Sequence, residues 1–419
     1  MRAHTFAAVP PRSLAGLLAG CLGLGTALAD SGTIFGTIEL DNEQTVTGVM
    51  RWGEQESHWI HHFNGDKAEP FDLDLLSSDD RETVEANLPG PRFEVGGHVI
   101  ELVRWLGTSD LQRQSFAVEF GLIREIEPQG GERVKLTLVD GSTIEARGGS
   151  DDIGAEIDVM TSTGNVRDVS WDDVERIRFH APDSAAPAFP QYLYGKVRTR
   201  DTTYVGFVDW DQDERYPDEE LDGDVDGEER SITFAAIRKI KNLGESSLVT
   251  LTDGTELTMS DTNDVNSENR GIIVHMADIG RVLVPWSAFE EVEFTPQPDN
   301  LPRYADFASG GPIQARVKGQ NQEFSGNLIF DLDHRHQGEM LHGKDEAGVQ
   351  FQIPWRHITR LVRQEDNRCE VLLRNGQTLA LGRDPDVTGA NSGVAVQQSG
   401  GKARYLAWTD VKEIETRSP

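Results

Sequence analysis

A segment of about 45 residues occurs three times in this chain, and this repeat limits the possible folds more than any other feature. The copies are Val134–Phe179, Val249–Phe294 and Val371–Ile414. Each copy opens with alternating apolar residues and then an Asx-Gly pair. Such a pair suits a tight hairpin, because glycine adopts positive φ without steric cost. The pairs are Asp140-Gly141, Asp253-Gly254 and Asn375-Gly376.

Each copy closes on a tryptophan that is followed by apolar residues at a spacing of three. The closing sets are Trp171/Val174/Ile177, Trp286/Phe289/Val292 and Trp408/Val411/Ile414. A spacing of three is typical of a single 3₁₀ turn. The residues that follow, such as Val292 and Phe294, alternate as in a strand. The pattern therefore predicts a helical turn and then a final strand.

A second cassette precedes each of these copies. It places an aromatic residue 13 positions before a glycine, in the pairs Trp52/Gly65, Trp210/Gly223 and Phe330/Gly343. It also ends at a spacing of three, in the sets Phe120/Ile123/Ile126, Phe234/Ile237/Ile240 and Trp355/Ile358/Leu361. We therefore interpret the chain as three units, each with an A cassette followed by a B cassette.

The close of each cassette, a helical turn followed by a final strand, resembles the end of SH3-like and Sm-like small β-barrels. The resemblance implies an all-β fold of three tandem repeat units, each a pair of small SH3-like β-barrel modules. It is a likeness of fold and transfers no functional residues.

The composition of the intervening stretches predicts the unit boundaries. Proline-rich segments read as linkers because they are semi-rigid and cannot continue a sheet. The predicted segments are a signal peptide at 1–29, unit 1 at 30–179 with an insertion at 66–119, a linker at 180–191, unit 2 at 192–294, a linker at 295–312 and unit 3 at 313–416.

The N-terminal segment predicts an extracytoplasmic location. Arg2 and Arg12 precede an apolar stretch, and Ala27-Leu28-Ala29 forms a signal-peptidase site with cleavage after Ala29. Within the same stretch, Leu18-Ala19-Gly20-Cys21 matches a bacterial lipobox. The alternative is therefore a lipoprotein anchored at Cys21, which is the only membrane attachment that the sequence predicts.

The charge restricts the class of partner. The formal net charge is −31, and removal of residues 1–29, which hold two arginines and no carboxylate, would make it −33. Such a charge argues against nucleic acid and anionic lipid as partners. It favours cations or basic proteins, or simply a well-solvated surface.

One motif in unit 2 indicates a possible calcium site. Asp222, Asp224, Asp226 and Glu228 form a D-x-D-x-D-G-E run, in which alternate carboxylates supply hard oxygen ligands and a glycine permits a sharp turn. The twelfth position is Thr233, where an EF-hand loop has glutamate. An acidic, solvated hairpin is the alternative.

Histidines cluster twice, at His58/His61/His62 and at His334/His336/His342. A zinc site needs three or four converging ligands, and no cysteine pair helps to build one here. Exposed loop histidines are the alternative interpretation.

Five residues are candidates for contact with a partner. Trp59 lies outside the repeat and is the expected exposed aromatic residue, whereas the repeated tryptophans are expected in the core. The other four are Asp264, Asn269, Asp386 and Asn391, in matching polar loops. Asp and Asn also stabilise turns through their own backbone, which is the other explanation of their recurrence.

No catalytic or cofactor motif is found: G-x-S-x-G, H-E-x-x-H, the P-loop and the dinucleotide fingerprint are missing from the sequence. We therefore predict a non-catalytic extracytoplasmic binding or scaffold protein of a bacterial envelope, which presents loops to a protein or polysaccharide partner. The alternative is a calcium-dependent surface or adhesion module.

Overall fold

The computed structural model describes residues 30–67, 73–87, 92–95, 98–101, 115–148, 152–184, 186–187, 189–307, 310–364, 367–398 and 401–417. Within these ranges the chain is all-β, with a single α-helix, α1, at Ser78–Asn87. The predicted signal peptide and Cys21 lie outside the described residues. No helix in the described part has the length and apolar character needed to cross a membrane.

The strands form three groups. The first group is β1 Phe35–Leu40, β2 Thr45–Trp52, β3 His62–Lys67, β4 Arg92–Val95, β5 His98–Glu101, β6 Ser115–Glu119, β7 Ile123–Pro128, β8 Arg133–Leu138, β9 Thr143–Arg147, β10 Ile157–Thr161, β11 Val166–Val169 and β12 Val174–Phe179. The second is β13 Tyr194–Thr199, β14 Thr203–Asp209, β15 Glu220–Val225, β16 Glu228–Thr233, β17 Ile237–Asn242, β18 Ser246–Leu251, β19 Glu256–Ser260, β20 Ile272–Met276, β21 Gly280–Val284 and β22 Phe289–Phe294. The third is β23 Gln314–Gly319, β24 Glu323–Phe330, β25 Met340–Lys344, β26 Gln350–Pro354, β27 Ile358–Arg363, β28 Arg368–Leu373, β29 Thr378–Gly382, β30 Val394–Gln397, β31 Ala403–Leu406 and β32 Val411–Thr416.

The antiparallel pairing has the same order in all three groups. The first group runs β6-β3-β9-β8-β7-β12-β1-β2-β10-β11. The second runs β16-β15-β19-β18-β17-β22-β13-β14-β20-β21. The third runs β26-β25-β29-β28-β27-β32-β23-β24-β30-β31. β21 pairs with β26, so the second and third groups form one sheet of twenty strands, while β4 and β5 form a separate ribbon.

The two cassettes of a unit exchange strands. In the second group, Val292 at the centre of β22 lies opposite Val197 of β13 on one side and Ile240 of β17 on the other. The first two strands of the A cassette, β13 and β14, thus pair with β22 and β20 of the B cassette. In the same way β18 and β19, the first two strands of the B cassette, pair with β17 and β15 of the A cassette. A single cassette therefore cannot close on itself.

Closed barrels were expected from the sequence, and the described strands do not form them: each hydrogen-bonded ladder is an open path. The strand exchange is the physical reason, because a cassette gives its first two strands to the other half of the sheet. What the structure has instead is two large antiparallel sheets.

The predicted local signals are present. A 3₁₀ turn begins at Phe120, Trp171, Phe234, Trp355 and Trp408, and a strand follows each of them. At Trp286 a hydrogen-bonded turn has the same place. The hairpin glycines Gly141, Gly254 and Gly376 have φ of 88°, 91° and 87°, the conformation that an Asx-Gly turn requires.

The apolar core is shared across the predicted boundaries. One cluster of buried residues runs through the second and third groups, and another fills the first group and includes Tyr192, Phe207 and Phe307 from beyond it. A third joins Leu76 and Val84 of the unit 1 insertion to the third group. The repeated tryptophans Trp171, Trp286 and Trp408 are buried, as predicted.

Candidate metal centre and the cleft between the first and third strand groups

A buried aspartate occupies the same place in each strand group. Its carboxylate accepts a hydrogen bond from a backbone N–H on the third strand of the group. The pairs are Asp152 with Asn64 at 2.6 Å, Asp264 with Asp222 at 2.9 Å and Asp386 with His342 at 2.7 Å. This hydrogen bond anchors the polar loop to the sheet. We call Asp152, Asp264 and Asp386 the loop aspartates.

The neighbouring asparagines have the same structural role. The Asn269 amide donates to the Asp264 carbonyl at 3.3 Å, and the Asn391 amide donates to the Asp386 carbonyl at 2.8 Å. All four residues are buried. The structure therefore brings each predicted pair of partner-contact residues together inside a turn and away from the surface.

The loop aspartate of the third group differs because histidines surround it. His334, His342 and Asp386 place one ring nitrogen each and a carboxylate oxygen within 4.8 Å of one another. The His342 Nδ1 atom lies 3.2 Å from Asp386 Oδ2. Among the described residues, this is the one group of three His, Cys, Asp or Glu side chains that converges so closely.

Nearby carboxylates make this place strongly negative. Burial, together with the charges of Asp386 and Asp333, raises the pKa of Asp331 to about 7. Although burial lowers the pKa of the His342 imidazole, its hydrogen bond to Asp386 produces a net rise. Burial raises the pKa of the Asp386 carboxyl, but His334 and His342 lower it by more and hold it below the ordinary value. Positive charge is therefore favoured at this position.

A solvent pocket of about 240 Å³ reaches the same place from between the second and third groups. Its walls include His342, Asp384, Arg281 and Gln212. The side chain of His342 is 24% exposed, so a small ligand can approach the histidine from this pocket.

The other histidine cluster lies at the contact of the first and second groups. His58, His61 and His62 are buried, and so are His334 and His336 of the second cluster, so the interpretation as exposed loop residues is wrong for all five. The His61 ring lies 4.5 Å from the ring of His275, measured between centroids. Burial and the nearby His275 lower the pKa of His58 to about 3, so it is neutral at ordinary pH and packs as a core residue.

Buried ion pairs join the first and third groups. Lys67 donates to Asp333 Oδ1 at 2.7 Å and also pairs with Glu339. Arg356 makes a two-point contact with the buried carboxylate of Glu119, at 2.7 and 2.8 Å. These contacts hold two sequence-distant parts of the chain in a fixed relation.

A cavity of about 320 Å³ lies beside Lys67 between these two groups, and we call it the cleft. Its described walls include Leu75, Ile144, Leu328, Ile329 and Leu332. Its polar lining residues include Lys67, Ser142, Thr143, Asp333, Arg335, His336 and Glu339. A cavity of this size that combines apolar walls with polar groups is typical of ligand sites.

The predicted calcium residues lie on the β15–β16 hairpin. Asp222 and Asp224 are on β15, Asp226 is in the two-residue turn with φ of 55°, and Glu228 begins β16. Asp222 accepts a hydrogen bond from Ser231 at 2.6 Å. Of the described carboxylates in this run, no three converge within 4.8 Å, and the calcium site stays a prediction.

Trp59 is not the exposed residue that the sequence suggested. Its side chain is fully buried, packs against the tilted ring of Tyr304 with centroids 4.7 Å apart and donates to Asp30 at 3.3 Å. Tyr304 of the second linker and Phe179 at the end of β12 contact its ring, and both are distant in sequence, so local periodicity carried no sign of its burial.

Comparison with protein-family models, with curated proteins and with solved structures found no match for this chain.

Proposed function

We propose that this chain is a non-catalytic, extracytoplasmic binding or scaffold protein of a bacterial envelope. The location rests on the signal-peptide pattern of residues 1–29. The finer architecture that we propose is three tandem units, each derived from a pair of SH3-like modules that have exchanged strands. The identical strand order of the three groups supports it.

The proposed binding function rests on the cleft. Two strand groups contribute its walls, and the buried pairs of Lys67 with Asp333 and of Arg356 with Glu119 fix their separation. A site that is formed before the ligand arrives loses less conformational freedom on binding. We therefore assign the partner to the cleft and not to the surface loops.

The lining of the cleft favours a protein partner over a polysaccharide. Sugar sites commonly present aromatic faces, whereas the described lining has aliphatic residues such as Ile144, Leu75 and Leu332. An apolar side chain of a protein segment fits these walls, and Thr143 and Ser142 at the rim can hydrogen-bond its backbone.

The test is capture of a partner from envelope extracts by the purified protein. We expect Thr143→Trp to remove a specific partner, because the exposed Thr143 lies at the cleft and the large ring narrows it. Thr163→Trp is the matched control, since Thr163 is exposed in a turn outside the described cleft lining. Equal capture by both variants would place the binding surface elsewhere.

The calcium-dependent module is the second candidate. The exposed side chain of Asp222 and the half-exposed one of Asp224 are two residues apart on one strand and share a face, which favours cation binding. Millimolar Ca²⁺ should then raise the melting temperature, and Asp224→Ala should abolish the rise. An unchanged melting curve of the unsubstituted protein removes this candidate.

A further inference from the structure

Two histidines and the loop aspartate of the third strand group have the chemistry of a metal site. We propose that His334, His342 and Asp386 bind a divalent transition-metal ion of the zinc type. Two imidazole nitrogens and one carboxylate oxygen form a ligand set that suits Zn²⁺ and related ions, with a further position open to water or a ligand.

The spacing of the ligands fits a small ion. Zinc bonds of about 2.0–2.1 Å in a tetrahedral site put neighbouring ligand atoms about 3.3 Å apart. The 3.2 Å between His342 Nδ1 and Asp386 Oδ2 is already at this value. The whole group spans no more than 4.8 Å, so a movement of His334 by at most about 1.5 Å completes the set.

His334 offers an independent indication. Its Nδ1 atom is buried and has no hydrogen-bond partner, which is a costly arrangement for a polar atom in a protein interior. Its Nε2 atom lies 3.8 Å from Asp333 Oδ2. A metal-bound histidine usually donates its second ring N–H to a carboxylate. Asp333 lies beside this nitrogen but beyond hydrogen-bond distance, so the ring has to move closer for that contact to form. An ion at the group would therefore satisfy the free nitrogen.

Carboxylates outnumber cations around the group. Asp331, Asp333 and Asp384 lie near it in addition to the ligand Asp386, while Lys67 pairs with Asp333 and Lys344 lies near Asp384. The pocket that reaches His342 provides a route for the ion and leaves room for a water molecule or a ligand atom on it.

The fold does not need these histidines at their positions. The places of His334 and His342 correspond to Glu56 and Asn64 in the first group and to Glu214 and Asp222 in the second. Glu56, Glu214 and His334 each donate a backbone N–H to the carbonyl of the aromatic residue four positions earlier. The Asn64 amide reaches Asp152 at 2.7 Å, as the His342 ring reaches Asp386. Glutamate and asparagine are therefore compatible with the same backbone, and the histidines are a feature of the third group.

The experiment measures zinc binding to untagged, chelator-treated protein by titration calorimetry, with the visible absorption of bound Co²⁺ as a second readout. We expect one ion per chain and a shift of the Co²⁺ spectrum typical of nitrogen ligands. The double variant His334→Gln/His342→Asn should lose both signals and keep its fold, since the first group uses asparagine at the second position. Millimolar Ca²⁺ should not compete, because it prefers oxygen ligands.

The matched control is Glu214→Gln/Asp222→Asn, which makes similar changes at the corresponding positions of the second group. This control should bind zinc as the unsubstituted protein does. Absence of zinc binding in the unsubstituted protein would overturn the proposal, and so would zinc binding retained by the folded third-group variant. Partner capture in the cleft is a separate measurement, so the two proposals can fail independently.

Discussion

Replacement of Lys67 by methionine tests whether a buried ion pair joins the first strand group to the third. Lys67 is the cation of a buried trio with Asp333 and Glu339, whose side chains are 12%, 7% and 3% exposed. Methionine keeps most of the volume of lysine and removes the charge. Two buried carboxylates then remain without their cation.

The magnitude follows from the cost of leaving a buried charge without its partner. Removal of one partner of a buried pair typically costs about 3–5 kcal/mol. Burial by itself raises the pKa of Glu339, but Lys67, His334 and the His336 N–H together lower the pKa from 4.5 to about 2. The depressed pKa shows that the ionised carboxylate of Glu339 is stabilised in the folded protein, and Lys67 is the largest source of that stabilisation. We therefore expect Lys67→Met to lower the free energy of unfolding by about 3–5 kcal/mol at neutral pH.

The pH dependence has a defined sign. The folded-state pKa of Glu339 lies below its unfolded value, so its contribution is present above pH 4.5 and is lost as the pH falls from about 4.5 to about 2. In Lys67→Met the pKa of Glu339 rises, because its nearest cation is gone. The acid-induced loss of stability in this range should then be smaller than in the unsubstituted protein.

The assay is equilibrium urea unfolding followed by tryptophan fluorescence, at neutral and at acidic pH. Lys135→Met is the control, because Lys135 is 39% exposed and its pair with Glu127 at 3.2 Å should contribute at most about 1 kcal/mol. Lys67→Met/Glu339→Gln should regain part of the stability at neutral pH. Equal effects of the two single lysine variants, or an unchanged acid profile, would refute the reasoning.

Three further changes give distinct results. Gly206→Ala places a Cβ atom 2.1 Å from the His275 carbonyl oxygen, so the free energy of unfolding from thermal melting should fall by about 1–3 kcal/mol or more. An unaltered melting temperature would contradict the close approach of β14 to β20. Burial and the nearby Asp264 raise the pKa of Glu214 to about 8, so its contribution to stability is lost as the pH rises from about 5 to about 8. Glu214→Gln should therefore make the fall in melting temperature over this range shallower. A fall as steep as in the unsubstituted protein would disprove the raised pKa of Glu214. Trp59→Ala should cost about 3–5 kcal/mol in urea unfolding, since the ring is fully buried, and a cost below 1 kcal/mol would contradict that burial.

The candidate metal site shows the limit of inference from spacing. His334 and His342 were visible as candidates in the sequence, and Asp386 was visible as a repeated loop residue. Nothing in the sequence linked them, because Asp386 lies 44 residues after His342. The hydrogen bond from the His342 backbone N–H on β25 to the Asp386 carboxylate brings them together, and the strand order places its donor and acceptor side by side.

The ion pairs and the cleft had no sequence signal at all. Lys67 and Glu339 are in different units and in unrelated local patterns. The exposure expected for Trp59 was wrong for the same reason, because Tyr304, which packs on its ring, comes from a linker far along the chain. Burial that depends on distant segments cannot be inferred from local periodicity.

The sequence by itself determined the local geometry: the all-β class, the positive-φ hairpin turns and the helical turn before each closing strand. These follow from glycine conformation and side-chain period, which act over a few residues. The tertiary structure alone decided the strand exchange and the joining of the second and third groups into one sheet, because strand pairing depends on whether the side chains of two edge strands are compatible. Val282 of β21 lies opposite Phe351 of β26, an apolar match. The corresponding strands β11 and β16 instead carry charged residues, which discourage edge pairing, and no described strand continues either ladder.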